Sequence, residues 1–103
     1  MIENAPFFYG SVGRWWGTDP RSRSQIEIDI LGAYGEEMLL GECKWRNEKV
    51  DEDVLEKLIW CGQLFRQQEK WYYIFSKTGF TEKVRAQAQK DRKIRLLSFS
   101  DML

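Results

Sequence analysis

Two alternating stretches joined by a two-residue turn constrain this chain more than anything else in it. Ile26, Ile28 and Ile30 alternate with Glu27 and Asp29, the period of two expected of a strand with one buried face. The second stretch alternates as well. Leu40, Glu42, Lys44 and Arg46 share one face, and Leu39, Gly41, Cys43 and Trp45 share the other. Tyr34-Gly35-Glu36-Glu37 between them reads as a hairpin turn with Gly at the first central position, the type II′ choice. Setting Tyr34 opposite Glu37 also sets Asp29 opposite Glu42, Glu27 opposite Lys44 and Gln25 opposite Arg46. Two carboxylates facing each other on a sheet repel by roughly a few tenths of a kcal/mol or more. A hard cation such as Mg2+ relieves that repulsion, because one or two carboxylates commonly hold it while water and substrate oxygens complete its shell. The same face also reads as a solvated hairpin surface, with Glu27 and Lys44 an exposed pair worth roughly 0–1 kcal/mol. A bulge at Gly32 would break the one-to-one pairing.

The rest of the chain arranges itself around this hairpin. Residues 7–16 predict a first strand and residues 17–24 a polar loop with Asp19-Pro20 as its turn signal. Asp51 is a credible N-cap for a helix over 51–65, with Glu52 and Asp53 at the positive end of its dipole. Val54, Leu55, Leu58, Ile59, Gly62 and Phe65 recur at helical spacing and predict the face laid on the sheet. A strand is expected over 71–76, a turn at Lys77-Thr78-Gly79, a more polar helix over 81–91 and a closing strand over 94–99. The order is βββαβαβ, an α/β fold with a parallel pairing made across the first helix. Trp15 and Trp16 must point to opposite faces of their strand, so at most one is exposed.

Composition narrows the chemistry. At 103 residues the chain reads as one domain, 1–103, and 43% hydrophobic residues support a packed core. Sixteen Lys and Arg balance sixteen Asp and Glu, so no global field recruits nucleic acid and any such surface must be local. With no histidine, Ser-His-Asp, Cys-His and His-ligated zinc chemistry are excluded on this chain. Cys43 and Cys61 lie eighteen apart without a Cys-x-x-Cys, and two cysteines make no secreted disulfide framework. Cys43 is expected in the core. Neither a signal-like start nor a membrane-length apolar run is present, so a cytoplasmic protein with no membrane contact is expected.

Asp29, a spacer of twelve residues and Glu42-Cys43-Lys44 resemble the Asp…Glu-X-Lys signature of the PD-(D/E)XK nuclease superfamily, the restriction-endonuclease-like fold. Four linked words are more specific: Gly13-Arg14-Trp15-Trp16-Gly17-Thr18-Asp19-Pro20, Gln25-Ile26-Glu27-Ile28-Asp29, Gly41-Glu42-Cys43-Lys44-Trp45-Arg46 and Phe75-Ser76-Lys77-Thr78-Gly79-Phe80. In this order, over roughly residues 8–102, they resemble an uncharacterised family that forms the C-terminal domain of archaeal-type ATPases also found in bacteria. Two departures stand out. The helix that opens the superfamily core, and often adds a Glu to the site, has no counterpart before the first strand, and Ile28 stands where the superfamily has Pro. No Gly-x-x-x-x-Gly-Lys-Ser/Thr phosphate loop occurs, so the resemblance implies either a piece of a larger ATPase, the favoured reading, or a free-standing, shortened relative.

The resemblance implies a restriction-endonuclease-like mixed sheet flanked by helices, with its first core helix missing. It also implies metal-dependent hydrolysis of phosphodiester bonds, DNA before RNA. Asp29 and Glu42 would hold Mg2+ or Mn2+, with the carbonyl of Cys43 as a further ligand. Lys44 would position the attacking water and Glu27 would hold its ammonium. Arg46, Arg14, Arg21 and Arg23 are the candidates for tracking phosphates. The alternative is a catalytically silent module that docks nucleic acid or protein to the ATPase. Phe7, Phe8 and Tyr9 lie where the absent helix would begin its cover, and a symmetric homodimer would protect an apolar patch there.

Overall fold

The computed structural model describes residues 11–99. Its elements run β1 (Ser11–Asp19), β2 (Ser24–Tyr34), β3 (Glu37–Lys44), α1 (Glu52–Gly62), β4 (Glu69–Ser76), α2 (Glu82–Gln89) and β5 (Ile94–Ser98). The five strands form one sheet in chain order. β1, β2 and β3 pair antiparallel, and β3, β4 and β5 pair parallel. The fold is therefore mixed α/β with the expected βββαβαβ order.

Local chemistry explains the helices. The Asp51 carboxylate accepts from the Glu52 amide at 2.8 Å, and Thr81 caps α2 by accepting from Val84. The Thr81 hydroxyl also donates to Asp51 at 2.8 Å, which ties the two helix starts together. Both crossovers carry the chain the same way along the sheet, so right-handedness lays both helices on one face. There Ile26, Ile28, Leu40 and Ile74 pack with Leu55, Leu58 and Val84 in a single core. Helix α1 sits close: a Cβ on Gly62 would meet the Tyr72 hydroxyl at 2.6 Å. A smaller cluster of Leu39, Trp71 and Tyr73 occupies the other face, with Ile30, Phe75 and Leu97 packed on it.

The hairpin turn is type II′ as expected, since Gly35 has φ +61° while Glu36 does not share the left-handed region. The bulge falls elsewhere than Gly32. Gly13 pairs with Leu31 and Trp15 with Ile28, so Arg14 alone faces both Asp29 and Ile30. One extra residue in β2 breaks the alternation. Ile26 and Ile28 consequently lie in the core under the helices, while Ile30 joins the cluster on the opposite face. The three isoleucines do not share a face.

Strand β1 also continues to Asp19, through residues expected to form a loop. Gly17 makes this extension feasible, because the Trp15 indole lies on it: a Cβ there would come within 2.9 Å of the ring. Trp15 then meets the edge of Phe65, ring centroids 5.2 Å apart. Phe7, Phe8 and Tyr9, with the patch expected of them, lie outside the described residues.

Candidate functional site

The β2–β3 ladder runs from Tyr34/Glu37 to Ile30/Gly41 and stops there. The expected register holds over these five pairs. The three pairs projected beyond it, Asp29/Glu42, Glu27/Lys44 and Gln25/Arg46, do not form. The bulge is the cause, since the extra residue bends β2 away from a β3 that stays paired to β4. The strands fork.

Asp29 fills the crotch of the fork. Its Oδ2 accepts from the backbone N–H of Cys43 at 2.9 Å, where a ladder bond would otherwise stand. Its Oδ1 lies 3.9 Å from Nη2 of Arg14, and Glu27 lies 3.8 Å from Nε of the same guanidinium. Glu42 and Lys44 follow Leu40 on the helix-covered face, and Lys44 Nζ is 3.1 Å from Glu42 Oε2. Burial pushes the Glu42 carboxyl up from its usual 4.5; Lys44 opposes this, and the charge of Asp29 adds to it. The charge of Asp29 thus reaches Glu42, although the two residues do not pair across the strands.

Two expectations need correction. Glu27 does not hold the ammonium of Lys44: it pairs with Arg14, and Lys44 pairs with Glu42. Cys43 is exposed and not in the core, because β2 has already parted from β3 beside it. Its thiol is pushed up from 9.0 by partial desolvation and by the charges of Asp29 and Glu42, so it stays protonated at neutral pH and leaves the carbonyl as its donor. Nε and Nη2 of Arg21 donate to Oδ1 and Oδ2 of Asp19, both at 2.9 Å, and its amide donates to Oδ1 at 2.8 Å. Nη2 also reaches the Trp60 carbonyl at 2.8 Å and Nη1 the Gln63 amide oxygen at 3.1 Å. The guanidinium lies 3.6 Å over the Trp60 ring. Four of the five guanidinium N–H groups of Arg21 are thus engaged within the protein, and one on Nη1 remains.

Asp19, which the sequence marks only as a turn former, is the acceptor at the centre of that knot. It is 1% exposed. Trp60 Nε1 donates to it at 2.9 Å, and the Arg21 hydrogen bonds draw its pKa down to about 2. Its proximity to Trp60, 41 positions away, leaves no local signal. Of the other cations, Arg23 is exposed in the β1–β2 turn at φ +58°, and Arg46 is exposed in the loop after β3.

As donors for a metal, the fork offers the carboxylates of Asp29 and Glu42 and the Cys43 carbonyl. Among the described residues no group of three or more His, Cys, Asp and Glu side chains converges. An all-oxygen set of one or two carboxylates fits a hard cation that keeps its water, as Mg2+ does, and does not fit zinc.

Fold and fork together define a mixed α/β domain with a candidate hard-cation site. Residues 1–58 match the model of DUF234, described as archaeal and bacterial proteins of unknown function, and the chain belongs to that family. The match spans β1, β2 and β3 and so includes every candidate residue. The fold is similar to the crystal structure of AF1548, a protein of unknown function, at a TM-score of 0.57 and 18% identity. The similarity covers 89% of this chain and 50% of that one, so this chain spans about half its length. No curated protein matches. No helix among the described residues is long and apolar enough to cross a membrane.

Proposed function

We propose that the fork holds one Mg2+ or Mn2+ and hydrolyses phosphodiester bonds, DNA in preference to RNA, as a PD-(D/E)XK-like nuclease domain of an ATPase. One observation carries the reading. Asp29 sits in the gap between two parted strands, and it and burial together disfavour the ionised form of Glu42, a strain that a bound cation removes. Asp29 and Glu42 would hold the ion, with the Cys43 carbonyl added by resemblance. Such a cation polarises the scissile phosphate and lowers the pKa of water, supplying hydroxide near neutral pH. Lys44, restrained by Glu42, is placed to orient the attacking water and to offset charge growing on phosphorus. Arg46 is free to clamp a neighbouring phosphate oxygen. Glu27 has no part in this.

A second reading has an observation of its own. Arg14, Arg21 and Lys44 each already face a carboxylate, and the net charge is zero, which favours a silent docking module. Calorimetric titration with Mn2+ and Mg2+, paired with a nicking assay, separates the two. The nuclease reading expects binding that Asp29→Ala removes, together with metal-dependent nicking. Metal binding without cleavage of single-stranded DNA, duplex DNA or RNA hands the domain to the docking role.

A further inference from the structure

The proposed site has a neighbour at the carboxyl ends of the parallel strands. Lys44, Ser76 and Ser98 close β3, β4 and β5 in register. Trp45 and Phe99, the next residues of the outer two, meet across the end of β4, ring centroids 5.3 Å apart and planes at 79°. Both are exposed, Trp45 at 61% and Phe99 at 43%. Cations follow at the same strand ends, Arg46 after Trp45 and Lys77 after Ser76. The Lys77 amide donates to the Lys44 carbonyl at 3.1 Å, its ammonium reaches Asn47 at 3.4 Å, and Thr78 donates to the Arg46 carbonyl. Arg46, Lys49 and Lys77 are exposed and have no ion pair among the described residues. Glu48 is the one carboxylate in the loop 45–49.

Ligands of open α/β sheets sit beyond the carboxyl ends of parallel strands. Paired exposed aromatics among unpaired cations are the two components of a single-strand nucleic-acid surface: rings stack on bases while cations follow the backbone. A duplex keeps its base faces stacked on each other, so only an unpaired base offers one to Trp45. We infer that Trp45 and Phe99, flanked by Arg46 and Lys77, stack an unpaired base of single-stranded DNA whose backbone continues to the fork. This rests on the nuclease reading for what happens at the fork, one residue before Trp45, but not for the stacking itself. The uncompensated cations favour DNA over an apolar protein surface as occupant.

The test is fluorescence anisotropy with a labelled oligothymidylate of about ten nucleotides on the 103-residue chain, in chelator so that neither metal nor cleavage intervenes. The single strand should bind several-fold tighter than a duplex of equal length. Trp45→Ala should weaken it about 10-fold or more, and Trp45→Phe should restore most of the loss. Lys77→Gln should lower the dependence of log affinity on log salt by about 1. Trp45→Ala should leave melting temperature and Mn2+ affinity at wild-type values. Equal binding by wild type and Trp45→Ala, or a duplex bound as tightly as the strand, overturns the inference. Absence of DNA binding at tens of micromolar does so too and points to a protein on the same rings. If the chain binds no metal while the Trp45 effect persists, the nuclease reading fails and the stacking stands.

Discussion

Asp19 with Arg21 and Glu42 with Lys44 are both carboxylate–cation pairs near α1, and they end in opposite states. Asp19 is buried with donors on both oxygens: the Arg21 fork, the Arg21 amide and the Trp60 indole. Its pKa falls to about 2. Glu42 is partly buried with a single ion-pair partner, Lys44, and burial together with the charge of Asp29 raises its pKa against the pull of Lys44 and Lys57. Burial disfavours the charge in both; at Asp19 the hydrogen bonds to the ionised form outweigh it, and at Glu42 they do not. The first pair is finished architecture, pinning the β1–β2 turn to α1. The second is left short of positive charge, the condition for taking up a cation.

The sharpest way to break this contrast is at Lys44. Lys44→Ala should cost metal-dependent DNA nicking about 100- to 1000-fold, the usual loss for one contact to developing charge, while calorimetric Mn2+ affinity survives. A proportional loss of affinity would make Lys44 part of the binding site instead. Next comes Asp29→Ala, for which Mn2+ affinity should drop at least about 10-fold, since a two-carboxylate site loses half its charge. Unchanged affinity would show that the fork is not the metal site.

Asp19 tests the other half of the comparison. Asp19→Asn should lower the melting temperature more than any substitution at the fork, with nicking by the folded protein retained. The wild type also carries an acid limb. Its folded pKa, about 2, lies below the unfolded 3.8, so this stability is complete above pH about 4 and lost as pH falls through 2. In Asp19→Asn that part of the melting-temperature profile should flatten. Glu27→Gln should do least: its pair with Arg14 is exposed, so stability should move by less than about 1 kcal/mol and nicking should hold. A large loss of nicking would return Glu27 to the site.

The hairpin, its type II′ turn, the cap at Asp51 and the element order were legible because each is written in neighbouring residues. So was the register from Tyr34/Glu37 to Ile30/Gly41, fixed by a turn two residues long. The candidate pair Asp29 and Glu42 could be named from the sequence, but not its arrangement. Alternation counts residues, and one bulged residue, placed by how β1 pairs with β2, resets the count. Hence Ile30 changed face, Glu27 lost Lys44 to Glu42, and Asp29 turned into the gap.

The sequence by itself determined what spans a few residues: periods, turns, caps, and the carboxylates and lysine spaced for one site. Only the tertiary structure decided what depends on meetings across the chain. The knot of Asp19, Arg21, Trp60 and Gln63 and the Trp45–Phe99 pair each join residues more than forty positions apart. Sequence patterns record the preferences of each segment, whereas such meetings are set by the packing of whole elements against one another.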